Sequence, residues 1–351
     1  MTANVDHGEE IRARVEAAFQ AGRPLVPTGH GSKRFLDSDR EGEVLSLAQH
    51  RGIVKHEPTE LILTARAGTP LAEIEAALAE AGQMLAFEPP RFAGHGTLGG
   101  AVATGLAGPR RPFAGRVRDF VLGTRFVNGR GEALRFGGEV MKNVAGYDVS
   151  RLMVGAMGSL GVLLEITLKV LPRPECERAL VLELGPEEAF RHVAAWEAEG
   201  LPVSGSAHDG LRLHLRLSGA ESAVAEAVRR TGGENDSPGF WEALRDHELD
   251  WFRNLDGPPW RVVLPAGRRL PEGLAKRVLA DWNGRQLWLD RVDDPVRLEE
   301  AAAAVGGSLM RFGACGRGGQ RRPEARPGRE RLERRVKEAF DPAGILNSGA
   351  N

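Results

Sequence analysis

RFAGHGTLGGAVATGLAGP, from Arg91 to Pro109, is about half glycine and alanine, with hydroxyls only at Thr97 and Thr104. Without Cβ bulk a backbone passes close to a bound molecule, and glycine's tolerance of positive φ lets successive N–H groups turn toward one ligand. Close packing of two protein elements uses the same small residues, so the stretch alone does not decide between the two. Similar stretches on either side of it do. Gly94 to Gly99 also fits GxGxxG, with Asp119 about twenty residues further on. A dinucleotide-binding βαβ unit places a buried apolar strand directly before that loop, and here Glu88-Pro89-Pro90-Arg91 stands there. Proline is excluded from central strands, so the Rossmann reading is rejected.

On the N-terminal side, Glu9 to Ala21 reads as a helix with Ile11, Val15 and Ala18–Phe19 on one face, stopping at Gly22. Pro24 to Pro27 then runs into Thr28-Gly29-His30-Gly31-Ser32-Lys33. Free backbone N–H groups, a hydroxyl and one cation suit a diphosphate, although an exposed hairpin turn has the same composition. The spacing is not that of a Walker loop. Gly52–Val54 and Leu61–Ala65 read as strands, and Pro70 to Ala81 as a helix capped by Thr69, with Leu71, Ile74, Leu78 and Ala81 as its buried stripe.

On the C-terminal side, Phe120 to Val127 reads as a strand turning at Asn128-Gly129 into Glu132–Phe136. Tyr147, the single tyrosine, stands in a Gly-Tyr-Asp turn. A third small-residue loop, Gly155-Ala156-Met157-Gly158-Ser159-Leu160-Gly161, leads into the apolar strand Val162–Val170. Pro172-Arg173-Pro174 reads as a domain boundary. Beyond it, Leu180–Leu184, Leu211–Leu217, Trp260–Leu264 and Gln286–Leu289 alternate with helices near Glu187–Glu199 and Ala220–Thr231. This is a small α+β sandwich.

At 351 residues and 42% hydrophobic content the chain holds two domains, or one with an attached cap. A formal net charge of −1 gives no global field toward nucleic acid or an anionic membrane. The N-terminus carries early acids and no apolar h-region, and no apolar run approaches the ~18 residues of a membrane span, which makes the cytoplasm the default location. Two cysteines, Cys176 and Cys315, exclude a disulfide framework and an iron–sulfur cluster held within the chain. Redox chemistry here needs an organic cofactor or a partner's clusters. His208-Asp209 and His214 are too sparse for a metal site. The arginine-rich segment near 317–335 lacks aromatics and is diluted by glutamates, so it reads as a solvated loop before an amphipathic helix (Leu332, Val336, Phe340).

PTGHGSK, GTLGGAVATGLAGP, GRVRDFVLGTRFVNGRGE, KNVAGYDVSRLMVGAMGSLGVLLEITLKV and FDPAGILNSG, in this order, resemble FAD-linked oxidases of the vanillyl-alcohol oxidase/PCMH type. Within that family the match is to the FAD-binding subunits of glycolate oxidases. The resemblance is dense from Pro24 to Pro174 and returns at the tail. It implies an α+β fold: a two-part FAD-binding domain over 1–174, an α+β cap over 175–328, and a C-terminal helix and tail (329–351) packing back on the first domain. It implies FAD; a covalent flavin link at His30 is the alternative to a plain solvated loop histidine, and the lone polar-loop setting of His30 and of His95 favours the plain reading and hence non-covalent FAD. The pyrophosphate falls to Thr28, Gly29, His30, Gly31, Ser32 and Lys33. Thr97, Leu98, Gly99, Gly100, Thr104, Gly105 and Gly108 run along the ribityl chain and ring; Asp119 joins them, and Gly155, Gly158, Ser159, Gly161 and Val162 line the rest.

The cap carries no GHxGDGNxH stretch, and Met157 stands where most catalytic members have a glutamate. No catalytic residue and no metal ligand is therefore assigned. The function implied is an FAD-binding subunit of a glycolate (2-hydroxy-acid) oxidase complex. Its expected partners are a paralogous FAD-linked catalytic subunit and an iron–sulfur subunit, with membrane association only through them. The alternatives are a flavin-fold scaffold without its own catalysis, or a self-sufficient FAD oxidoreductase acting on another alcohol or hydroxy acid. Valine at Gly99 or Gly100 is expected to displace the flavin without unfolding the chain.

Overall fold

The computed structural model describes residues 4–36, 40–138, 148–313 and 328–347. Tyr147, Cys315 and the arginine-rich stretch up to residue 327 lie outside these. Two compact units are formed: Met1–Ala107 with Gly115–Arg173 and Ala325–Asn351, and Gly108–Ala114 with Pro174–Glu324.

The first unit begins with α1 (Gly8–Ala21), whose Ile11, Val15 and Ala18 are buried and whose end is closed by Gly22 in the left-handed region. Beyond it, β1 (Leu25–Thr28) pairs in parallel with β2 (Glu43–Ser46). The α1 stripe packs on Leu25, Leu45, Val127, Val162, Leu164 and, from the far end of the chain, Ile345 and Leu346. Each fully buried aliphatic side chain contributes about 1.5–3 kcal/mol.

A five-stranded antiparallel sheet follows. It is built from β3 (Ile53–Glu57), β4 (Ile62–Arg66), β5 (Val121–Val127), β6 (Ala133–Gly137) and β7 (Val162–Lys169), in the spatial order β3-β4-β7-β5-β6. The central β7 is buried along nearly its whole length, matching its unbroken apolar run. Two local expectations are corrected. The Asn128 loop is longer than a two-residue turn, because Asn128 Oδ1 accepts from the N–H groups of both Arg130 (2.9 Å) and Glu132 (3.0 Å). Helix α2 (Leu71–Glu80) has Pro70 at its N-cap, and the Thr69 hydroxyl is instead buried against the backbone of Gly52. Ala81 stays outside its buried stripe of Leu71, Ile74 and Leu78.

The second unit is an eight-stranded sheet. Helices Pro186–Ala198 and Glu221–Thr231 cover one face through Leu180, Val193, Leu213, Leu215, Leu217 and Val224. Helix Pro295–Ala304 packs through Leu298 and Ala302 in a separate cluster with Val262, Leu289 and Leu309. Strands Val203–His208, Glu234–Asn235, Arg277–Asp281 and Ser308–Arg311, absent from the sequence expectation, complete the sheet. The short segment Gly108–Ala114 belongs here, pinned by the Trp282 indole N–H donating to the Gly108 carbonyl (3.0 Å) and by the Arg110–Glu177 pair (2.6 Å).

Candidate functional site

Three small-residue loops of the first unit meet around an open cleft with about 490 Å³ of free space. Pro27 and Gly29 come from the end of β1. Thr97, Gly99, Gly100 and Ala103 come from α3 (Leu98–Thr104) and its cap, and Met157, Gly158 and Gly161 from the loop before β7. Leu47, Ala67, Met153 and Leu163 complete the wall; none of these four stands out in the sequence. Ala67 could have been suspected, since it continues the apolar β4 into Gly68.

The first loop leaves its backbone donors open. Among the described residues, the N–H groups of Gly29, His30, Gly31 and Ser32 donate to nothing. Four successive free donors form the concavity that holds an anion. The loop also lies hard against α3, where a Cβ on Gly29 would come 2.3 Å from Thr97 Oγ1. The Thr28 hydroxyl is turned back to the Val26 carbonyl (3.2 Å), and Lys33 is buried with its ammonium 5.5 Å from the Phe92 ring centroid. Burial, followed by the positive neighbours His95 and Arg51, holds His30 below its ordinary value.

The second loop does the opposite. Leu98 N–H donates to Thr69 O (2.9 Å), Gly99 to Ala67 O (2.7 Å), Gly100 to Thr97 Oγ1 (3.2 Å) and Ala101 to Thr97 O (2.9 Å). The expectation that this stretch turns free N–H groups toward a ligand is therefore corrected, since all four donors of the helix start are taken by protein. What it supplies is shape. Gly99 is small for the protein's own sake: a Cβ there would meet Ala67 Cβ at 2.8 Å and Ala67 O at 2.9 Å. A Cβ on Gly100 would find only Thr97 Oγ1, at 3.1 Å, and otherwise open space. Leu98 is fully buried in the core, the Thr104 hydroxyl donates back to Gly100 O (2.8 Å), and Gly105 closes the helix at φ 63°. Gly108 lies in the second unit, and Asp119 accepts from Arg116 N–H (2.8 Å) as a helix cap.

The third loop combines both habits. Gly155 N–H donates to Val102 O (3.0 Å) and Met157 N–H to Ala103 O (2.8 Å), sewing the loop to α3. The N–H groups of Gly158, Leu160 and Gly161 donate to no described residue. Two of its carbonyls are held by side chains remote in sequence, mostly from the far end of the chain. Met157 O accepts from Arg40 (2.8 Å) and from the Asn347 amide, and Ser159 O accepts from Lys337 Nζ (2.7 Å). Lys337, on the C-terminal helix Arg329–Phe340, also reaches Leu346 O (2.7 Å) and Asp341 (2.6 Å). The Ser159 hydroxyl serves Ala156 O (2.6 Å), and Val162 starts β7 fully buried. Sequence reasoning had no signal for Lys337 and Asn347 beyond the isolated FDPAGILN tail.

A run of free donors opening beside a cleft walled by glycine and alanine fits a diphosphate joined to a flat ring, which is the chemistry of FAD. Elsewhere, the sparse histidine cluster of the second unit forms an ion-paired triad. His214 Nδ1 lies 2.8 Å from Asp236 and Nε2 lies 3.3 Å from Asp209, with its ring stacked on Phe240. Burial pulls this imidazole down, but the hydrogen bonds to the two carboxylates outweigh it and leave its pKa raised.

Comparison with known proteins agrees with this geometry. Residues 1–137 match the model of an FAD binding domain, which together with the cleft defines an FAD-linked oxidoreductase fold. The fold is shared with alkyldihydroxyacetonephosphate synthase at a TM-score of 0.70, covering 98% of this chain and 74% of that one at 17% identity. Glycolate oxidase subunit GlcE of Escherichia coli is 46% identical over 349 residues, 99% of this chain and 98% of the relative. D-2-hydroxyglutarate dehydrogenase of Xanthomonas citri is 31% identical over 62% of this chain and 47% of its own length. Glycolate oxidase subunit GlcD of Bacillus subtilis is 32% identical over 45% of this chain and 34% of its own. The chain belongs to the GlcE family of PCMH-type FAD-linked oxidases, and FAD is its cofactor.

Proposed function

We propose that this chain is the FAD-holding subunit of a glycolate oxidase complex, converting glycolate to glyoxylate and passing the electrons to a partner. The observation that carries the reading is the run of open N–H donors from Gly29 to Ser32 beside a cleft shared by three loops. In this reading Gly29 to Ser32 take the pyrophosphate, Gly100 and Ala103 give room to the ribityl chain and ring, and Gly158 and Gly161 donate from the opposite wall. Bound FAD supplies two-electron acceptance, which no side chain provides. The chain's own part is to hold and orient the cofactor. Its two cysteines are too few for an iron–sulfur cluster, so the electrons leave to another chain, with an iron–sulfur subunit and a paralogous flavin subunit as the partners. No helix among the described residues is long and apolar enough to cross a membrane, and the reading places the complex on the cytoplasmic side.

A visible spectrum of the purified chain, repeated after anaerobic addition of glycolate, tests this. Flavin bands that bleach are the expected result for a chain oxidising glycolate on its own flavin. Bands that persist until the partner subunits are added place the hydride-accepting flavin on the partner. No bands after incubation with FAD would sink the cofactor reading.

A further inference from the structure

Three side chains hold the third loop from elsewhere in the sequence, and each takes a carbonyl oxygen. Met157 O accepts from Arg40 Nη1 (2.8 Å) and from the Asn347 amide, and Ser159 O accepts from Lys337 Nζ (2.7 Å). A carbonyl shares its peptide group with the N–H of the next residue. The groups held are therefore those that carry the N–H of Gly158 and of Leu160, two of the donors that this loop leaves open. Both peptide groups are trans, so their C=O and N–H point in opposite directions. Fixing the oxygen turns the N–H away from the side chain that holds it.

The backbone conformation agrees with that constraint: Met157 has φ 54° and Gly158 φ 73°. A residue with a side chain rarely occupies this region, and it stays there where its surroundings impose it. Met157 is constrained at both ends, since its N–H donates to Ala103 O (2.8 Å) and its oxygen has two donors. The first loop sets two of its open donors in the same way, through main-chain groups. Thr28 O accepts from Leu47 N–H (2.8 Å) and Gly31 O from Arg34 N–H (3.1 Å), which orients the N–H of Gly29 and of Ser32. In the third loop two of the holding groups, Arg40 and Lys337, are cations. A cation that donates to a peptide oxygen polarises the peptide and makes the N–H at its other end a stronger donor. Lys337 has three N–H donors. One goes to the loop, and two tie it to the tail at Leu346 O (2.7 Å) and the buried Asp341 carboxylate (2.6 Å).

We propose that Lys337, Arg40 and Asn347 are positioning residues for FAD. They act through the Met157–Gly158 and Ser159–Leu160 peptide groups, aiming and strengthening the N–H donors that the third loop presents to the cofactor. The C-terminal tail thereby sets the affinity of a cleft whose wall it does not line. The FAD part rests on the cofactor placement proposed above; the aiming of the two peptide groups rests on the hydrogen bonds.

The test uses the full chain stripped of flavin. Fluorescence titration with FAD reads affinity, a melt of the apoprotein reads stability, and leucine-selective isotope labelling reads the Leu160 amide. Lys337→Met should weaken FAD by about tenfold or more and move the Leu160 amide resonance of the apoprotein. Ile345→Ala is the control, because it removes core packing from the same tail and leaves both loop carbonyls held. It should lower the melting temperature, keep FAD affinity within about threefold and leave the Leu160 resonance in place. If Lys337→Met does not fold, the Arg40→Met, Asn347→Gly double variant frees Met157 O instead, with an expected FAD loss of about tenfold. Glycine suits the φ of 46° found at Asn347. Lys337→Met or that double variant binding FAD as wild type does would overturn the proposal. So would an Ile345→Ala loss of FAD equal to that of Lys337→Met, since the tail would then act by stability alone. A wild-type apoprotein that takes up no FAD would overturn the cofactor placement itself, and reading wild type first tells the two failures apart.

Discussion

The first and second glycine loops look alike in composition and use their backbones in opposite ways. From Gly29 to Ser32 the N–H groups are left open, whereas from Leu98 to Ala101 every one is bonded to the protein. A small-residue stretch can thus be a donor array or a packing surface. What separates them is the fate of the N–H groups, not the count of glycines.

The sharpest way to break this contrast is at Gly99. Valine there would collide with Ala67, so Gly99→Val should lower stability by about 1–3 kcal/mol whether or not flavin is present. A variant that melts like wild type when stripped of FAD would restore Gly99 to the ligand side. Gly100→Val should behave differently: FAD affinity falls by about tenfold or more, and the stripped chain changes by less than about 1 kcal/mol. Fluorescence titration with FAD and a melt of the apoprotein read the two quantities, and equal losses in both would erase the distinction between neighbouring glycines. Thr97→Val removes the oxygen that caps Gly100 N–H, costing about 1 kcal/mol and loosening the second loop while the donors of the first remain. Retained stability in that variant would show the cap to be dispensable.

The smallest test carries the contrast from backbone to side chains. His214 is bracketed by Asp209 and Asp236, so its raised pKa stabilises the fold below the unfolded value of 6.5. That contribution is lost as pH rises through the higher folded value. Wild type and His214→Gln should therefore differ most in melting temperature on the acid side and converge in mild alkali. A difference that grows with pH would mean the imidazole is held neutral.

The sequence made the three loops visible because glycine and proline punctuate it so strongly. It could not show which loop has free donors, because the acceptors that silence Leu98 and Gly99 are Thr69 O and Ala67 O, more than a helix away along the chain. Thr69 misleads for the same reason: its hydroxyl is claimed by the backbone of Gly52, just before β3, and so does not cap α2. Strand Val203–His208 escapes a periodicity reading because Gly205 and the register shift beside it interrupt the alternation. The passage of Gly108–Ala114 into the second unit is set by the Trp282 indole and Glu177, which no local pattern around Arg110 reveals.

Lys337 donates to Ser159 O across 178 positions of sequence, and Asn347 to Met157 O across 190. A ribosome making this chain has therefore finished the whole second unit before the third loop can receive its last two anchors. Completion of the first unit must wait for contacts that span most of the chain, such as the Leu25 N–H donating to Ile345 O, the slow kind of closure. The nascent chain thus carries an unfinished third loop until its last residues are made.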